Sequence, residues 1–263
     1  MKSLLNAKWI SRWVRVIVRR LLPYGSVRRV LRGPLLGYRF KVAPAMGLNY
    51  MLGGSHYPFD QFKGVLNEGM VVYDIGGNRG QMALFFASMV GAKGTVVSFE
   101  PVKKMADKII ENAALNDLKH LRVETLALAE VCGKSNFEFD LEHSTQGCLV
   151  RDVSPSSRHN IIEVTLMTLD AYVLTNDINP DLIKIDVEGG AKGVLSGGRE
   201  LLKASRPVVM IELHNESERE AVAWCVQELD YVVVDAQKDP VSDVMSFSEN
   251  IVWLFPREKM FDK

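Results

Sequence analysis

Four carboxylates close four short apolar runs of the chain: Asp74 ends VVYD, Glu100 ends TVVSFE, Asp186 ends LIKID and Glu212 ends VVMIE. Glu188 follows two residues after Asp186, and His214 two residues after Glu212. Acids gathered at one place ask for a cation or a hydroxyl-rich ligand, because like charges without a partner oppose one another's ionisation. An imidazole among them, with an ordinary pKa near neutrality, is suited to taking a proton from a hydroxyl. Any one of these acids would serve equally well as a helix cap or a solvent-facing group. Recurrence at four run ends is what points to a site.

The runs that carry these groups have strand length and alternate with amphipathic segments of helix length, the pattern of a parallel sheet with crossover helices. Strands are expected at Val71 to Ile75, Thr95 to Phe99, Leu121 to Leu126, Leu182 to Val187 and Val208 to Leu213. Helices are expected at Gln81 to Val90, Val102 to Leu115, Val194 to Lys203 and Ser217 to Leu229. Residues 135 to 167 read as extra strands around a polar loop, Glu142 to Arg158, and Tyr231 to Val234 and Ile251 to Phe255 as two more strands. The fold class is α/β, with a doubly wound, mostly parallel sheet. In such sheets ligands bind outside the carboxyl ends of the strands, at the switch in strand order.

The first strand runs into Asp74-Ile75-Gly76-Gly77-Asn78-Arg79-Gly80 and then a helix. Glycines at this turn let the backbone approach a ligand and expose helix N-terminal amides. A dinucleotide fingerprint counted from Gly76 would need glycine at the third and sixth positions, which here are Asn78 and Gln81. Glu100 ends the second strand, where an acid can take both hydroxyls of a ribose. Together these features describe an adenosine-containing ligand whose headgroup is not a pyrophosphate.

Six blocks in order carry a resemblance: DIGGNRG, FEP at Phe99 to Pro101, ENAALN at Glu111 to Asn116, LALAEVCG at Leu126 to Gly133, LIKIDVEGG at Leu182 to Gly190, and IELH at Ile211 to His214. Each block is weak alone. Together they resemble the FkbM-type S-adenosylmethionine-dependent methyltransferases, over about Val71 to Asn215. The resemblance implies a seven-stranded, Rossmann-like methyltransferase fold and methyl transfer, usually to an oxygen of a sugar or a secondary metabolite. It also implies that Asp74, Gly76, Gly77, Asn78 and Gly80 surround the methionine part of S-adenosylmethionine. Glu100, with Pro101 beside it, would hold the ribose, and the turn containing Leu128 and Ala129 would lie by the adenine. One departure stands out. After Asp-Val-Glu-Gly the family usually has a small residue and then a second acid, whereas this chain has Gly190 and Ala191 followed by Lys192.

Transfer from a sulfonium is an in-line displacement, so alignment of the two reactants is the protein's main task. A hydroxyl acceptor also needs a base, and His214 is the first candidate. Glu212 and His214 share a face if the strand continues that far, as do Asp186 and Glu188. Asp186 and Glu188 could orient the acceptor, act as the base, or join Glu212 around a divalent cation. Three oxygens without further ligands do not predict a metal. His56, His120, His143 and His159 stand singly in polar surroundings that suit surface or loop roles. His56, in the lead-in to the first strand, could also belong to a loop folding over the cofactor. Trp224 and Cys225 fall in an amphipathic helix and suit the core.

The 263 residues, 47% hydrophobic and 8% aromatic, exclude a largely disordered chain. Lys+Arg 32 and Asp+Glu 32 balance, yet no acid precedes Asp60, and the first 59 residues hold eleven bases. Residues 4 to 22 follow a helical period, with Lys8, Arg12, Arg15 and Arg19 opposite Trp9, Trp13, Val14 and Ile17. Ser26 could cap a second short basic helix before Gly33-Pro34. Residues 1–40 are expected to be a helical basic extension and 41–263 the methyltransferase domain. The extension suits an anionic membrane surface through residues 1–33, an organellar transit peptide, or packing on its own domain or in a homodimer.

No apolar stretch is long and uncharged enough for a spanning helix, and three cysteines without metal-ligand spacing indicate neither disulfides nor zinc. A cytoplasmic protein, peripheral at the membrane, is the expectation. The acceptor would be a glycan, a glycolipid or a small molecule. Two rivals remain. One is an inactive cofactor-binding scaffold of the same fold; the other is an RNA methyltransferase gripping with the basic arm. No nucleic-acid partner is expected, since the residues after 59 carry a net charge of −11.

Overall fold

A computed structural model describes residues 23–42, 59–140, 147–150 and 159–260. The helix expected over residues 4–22, the lead-in with His56, and His143 lie outside the described residues. Two strands, β1 (Val27–Arg29) and β2 (Arg39–Lys41), form an antiparallel pair ahead of the main domain. The domain then alternates β3 (Val71–Ile75), α1 (Gln81–Val90), β4 (Thr95–Phe99), α2 (Lys103–Leu115) and β5 (Leu121–Glu124). A second sheet follows, from β6 (Ala127–Leu128), β7 (Gly133–Asp140), β8 (Gly147–Val150) and β9 (His159–Met167). After α3 (Leu169–Asn176) and β10 (Leu182–Ile185) come α4 (Ala191–Ser196), α5 (Arg199–Ala204), β11 (Val208–Glu212), α6 (Glu216–Leu229), β12 (Tyr231–Val234) and β13 (Ile251–Pro256).

The main sheet has seven strands in the order β12-β13-β11-β10-β3-β4-β5. The five from β11 to β5 are parallel, and β13 lies antiparallel between β11 and β12. The expected α/β class and mostly parallel winding are therefore present. The chain leaves β3 toward β4 and β5 and later returns to the other side of β3 as β10, so the order reverses between β3 and β10. A crevice opens at such a reversal. Both faces of the sheet are covered: Val72, Val96 and Met210 pack in one apolar cluster, and Tyr73, Val97 and Ile211 in the other. This two-sided burial explains why the strands read as continuous apolar runs.

Three local differences from the sequence reading have physical causes. The helix expected over Val194 to Lys203 is two, α4 and α5, broken at Gly197-Gly198. A Cβ on Gly197 would stand 2.2 Å from the Ala129 carbonyl oxygen, so the glycine lets the β6 turn pass against the helix end. Helix α3, not anticipated, is capped by Thr168, whose hydroxyl accepts a hydrogen bond from Ala171 N at 3.1 Å. The polar loop Glu142 to Arg158 contains strand β8, paired with β7.

The second short basic helix, and with it the all-helical extension, is corrected by the structure: Ser26 precedes a β-hairpin. Alternation places Val27, Arg29, Arg39 and Lys41 outward, while Val30, Leu35 and Phe40 are buried in the domain core. Two asparagines of α2 complete the hairpin's edge. Asn116 accepts from Arg39 N at 2.7 Å and donates to Arg39 O at 2.8 Å, and Asn112 accepts from Lys41 N at 2.9 Å. Hence residues 27–42 are joined to the domain, and a division at residue 40 would run through β2.

Candidate active site

Register builds the floor of the crevice. Lys184 of β10 lies directly beside Asp74 of β3, and its ammonium, 2% exposed, stands 3.2 Å from Asp74 Oδ1 and 3.4 Å from Asp186 Oδ2. It also donates to the Gly76 carbonyl at 3.1 Å. Asp74 accepts a further hydrogen bond from Ser98 Oγ at 3.1 Å. Burial opposes the charge on Lys184, but two facing carboxylates outweigh it and hold the pKa above its ordinary value. Asp74, fully buried and sharing that cation with Asp186, has its carboxyl pushed up, chiefly by burial. One lysine therefore ties the end of β3, the glycine turn and the end of β10 together.

The turn that follows is as tight as its glycines permit. Gly76 has φ +83°, and a Cβ there would stand 1.9 Å from the Asp186 carbonyl oxygen. Gly76 and Gly77 both donate to the Phe99 carbonyl, at 3.0 and 3.1 Å. Asn78 is left-handed, with φ 49°, which turns its amide to Glu100 Oε2 at 2.8 Å. Glu100 Oε1 accepts from Val102 N at 2.9 Å. Each Glu100 oxygen keeps a second acceptor direction for a ligand hydroxyl. Burial raises the Glu100 pKa to about 7, against the pull of these backbone amides. Asn78 Oδ1 is buried and finds no hydrogen-bond partner among the described residues, an unused acceptor in the crevice wall.

The cavity above this floor opens to solvent and is mostly apolar, as small-molecule sites generally are. Gly76, Asn78, Glu100, Pro101, Leu128, Asp186 and Glu188 line it. Asp74, Gly77, Gly80 and Ala129 stand behind that lining. A Cβ on Gly77 would meet Ser98 Oγ at 2.1 Å and one on Gly80 would meet Ile109 at 3.0 Å, so both glycines serve close packing of the turn. Ala129 N pairs with Met167 O at 2.9 Å. The second sheet forms an apolar wall from Phe137, Phe139 and Leu149, which the sequence reading did not include. The alternation in NFEFD, with both phenylalanines on one face of β7, is the signal that could have shown it.

At the mouth, β11 ends at Glu212 and does not continue to His214. The two residues nevertheless converge with Asp186, and one ligand atom from each lies within 4.8 Å of the others. Two carboxylates and an imidazole so placed could hold a divalent cation. His214 Nε2 is 3.5 Å from Asp186 Oδ1 and Nδ1 is 3.5 Å from Glu188 Oε2. Its hydrogen bond to Asp186, aided by the Glu188 and Glu212 charges, outweighs burial and raises its pKa to about 9. Burial, together with the acids around it, raises that of Glu188, against the pull of His214. In the free protein at neutral pH, His214 is thus an imidazolium and becomes a base only after losing a proton.

Two groups missing from the sequence reading hold this cluster in place: Lys184, described above, and Glu218. Glu218 is fully buried, accepting from His214 N at 2.6 Å and from Ala191 N at 3.1 Å. Ala191 is itself fully buried, so the position of the absent second acid faces the core and its amide is already held by a carboxylate of α6. Of the other histidines, His120 Nε2 lies 2.9 Å from Ala87 O, a structural contact. Cys225 is buried in the core, and Trp224 packs against it with the Arg199 guanidinium 5.5 Å from its ring centre.

A family model described as the methyltransferase FkbM domain matches residues 74–255. No curated protein matches the sequence. Among solved structures, an FkbM methyltransferase from Methylobacillus flagellatus KT aligns at 15% identity with a TM-score of 0.48, over 71% of this chain and 43% of that one. This chain thus spans less than half the length of that protein. An S-adenosylmethionine-dependent O-methyltransferase from Thermotoga maritima aligns at 14% identity and TM-score 0.45, covering 88% of this chain and 77% of that one. Aeropyrum pernix fibrillarin, solved with bound S-adenosylmethionine, aligns at 10% identity and TM-score 0.44, over 73% of this chain and 67% of that one. The family match covers more than half of the chain and takes in all four acid-bearing strand ends, and the chain belongs to the FkbM methyltransferase family.

Proposed function

We propose that the protein is an S-adenosylmethionine-dependent O-methyltransferase acting on a hydroxyl of a glycan, a glycolipid or a small metabolite. The observation that carries the reading is the Asp186–His214–Glu188 cluster at the mouth of a crevice floored by the Gly76 turn and walled by Glu100. S-adenosylmethionine is the cofactor of the methyltransferase family, and bound there it supplies an activated methyl group on a sulfonium. The residues fit it: the close-approach glycine and the unused Asn78 acceptor suit its amino-acid end, Glu100 suits a ribose diol, and the mouth is acidic. Asp186 and Glu188 favour a cation beside them and orient the imidazole between them. Once it has lost its proton, the His214 ring, with a pKa of about 9, can take the acceptor's hydroxyl proton. Phe137, Phe139 and Leu149 exclude water from one side of the cavity.

The test is incubation with methyl-labelled S-adenosylmethionine and fractionated extract of the source, wild type beside His214→Ala. Label in an ether on a saccharide, lipid or small metabolite, lost in the variant while cofactor affinity persists, supports the reading. Label in RNA, or cofactor binding without any transfer, contradicts it.

A further inference from the structure

The hairpin that replaces the expected second helix has an outer surface unlike the rest of the described chain. Four of the ten large apolar side chains that are exposed among the described residues fall in it: Tyr24 at 48%, Val27 at 41%, Leu31 at 61% and Leu36 at 65%. Arg29, Arg32 and Arg39 are exposed beside them, and residues 23–42 contain no acid. The turn between the strands carries Leu31, Arg32 and Leu36 outward while Val30 and Leu35 point into the core. None of the outward aliphatic groups is needed to hold the hairpin, since Phe40 and the α2 asparagines already do so. Beside it lies a cleft bordered by Tyr24 and Lys41 on one side and Lys104 and Lys108 on the other, in which Glu111 pairs with Lys41 and Asp107 with Lys103. The first turn of α2 separates that cleft from the crevice, which Val102 and Met105 line.

We propose that this hairpin seats the protein on an anionic lipid surface, with Leu31 and Leu36 entering the interface and Arg29, Arg32 and Arg39 lying among the headgroups. Exposed aliphatic tips ringed by arginines match an interface that is apolar below and anionic above. A nucleic-acid surface would instead use aromatic stacking, and Tyr24 is the one exposed aromatic residue among residues 23–42. The element is preorganised, because its backbone is fixed to α2 before any lipid is met.

The experiment is flotation of the full-length protein with vesicles of phosphatidylcholine alone or mixed with phosphatidylglycerol. The wild type is expected to float with the anionic vesicles only. The triple variant Arg29→Gln/Arg32→Gln/Arg39→Gln is expected to bind them roughly 100-fold more weakly, about fivefold per charge. Leu31→Ser/Leu36→Ser is expected to lose about tenfold or more. Residues 1–22 are unchanged in both variants, and unaltered thermal unfolding midpoints show that the fold persists. The proposal is overturned if the wild type ignores anionic vesicles, if both variants bind as the wild type does, or if only the arginine variant loses binding and RNA competes with the vesicles.

Discussion

Replacing Lys184 by methionine isolates the group on which the crevice floor depends. The side chain keeps nearly the same volume, so packing is preserved while one ammonium is removed from between Asp74 and Asp186. Asp74 is fully buried and cannot turn to water, and the Gly76 carbonyl loses a donor at the same time. Breaking a buried ion pair from one side costs about 3–5 kcal/mol. For a chain of this size each kcal/mol moves the midpoint by about 2–4 °C, so Tm should fall by roughly 10 °C. The loss has a defined pH dependence. Burial already raises the Asp74 pKa, and without Lys184 it rises further, so folding with an ionised Asp74 becomes harder. The deficit should therefore be larger at pH 8 than at pH 5, where the unfolded carboxyl begins to carry a proton. Asp74→Asn/Lys184→Met, which removes the stranded charge as well, should recover more than half of the loss. Chemical denaturation of the three proteins at the two pH values is the assay. A single variant within about 1 kcal/mol of wild type, or a double variant no better than the single, would refute the reasoning.

Four further outcomes follow from the site. Glu100→Gln removes a charge that accepts hydrogen bonds worth about 1.5–3 kcal/mol each, so calorimetric affinity for S-adenosylmethionine should fall at least tenfold. In the wild type, with Glu100 near pKa 7, that affinity should be full above pH 7 and decline as pH falls below it, with proton release on binding; flat affinity from pH 5 to 8 would contradict the assignment. Gly76→Ala places a methyl group against the Asp186 carbonyl in a left-handed backbone, so it should lower both Tm and cofactor affinity, measurable by thermal shift with and without ligand. If His214 is the base, kcat/KM should climb with pH toward about 9, and a rising limb confined to pH 4–6 would move the role to Asp186 or Glu188.

Much of this architecture was legible because its signals are local. Val71 to Ile75, Thr95 to Phe99 and Gln81 to Val90 fold where period and length place them. The carboxylates at strand ends converge because a parallel sheet brings all its carboxyl ends to one edge. What escaped depends on contacts distant in sequence. Lys184 reads as an ordinary charge inside LIKID until β10 settles beside β3 and sets it against Asp74. Glu218 looks like an exposed first-turn acid of α6, yet it bonds the amides of His214 and Ala191. Ser26 and the basic residues after it fit a capped helix by local signals, whereas tertiary pairing with Asn112 and Asn116 decides for a hairpin. The imidazole's neutral-pH role could not be read from composition at all, because three neighbouring carboxylates set its charge.

A crevice built for a sulfonium carried by adenosine is tested most directly by equilibrium titration. Calorimetry at pH 7.5 should show S-adenosylmethionine and its demethylated product each binding one molecule per chain, with both affinities cut at least tenfold by Glu100→Gln and no binding of a nicotinamide dinucleotide. Failure of S-adenosylmethionine to bind the folded protein, or equal binding by the dinucleotide, would contradict it.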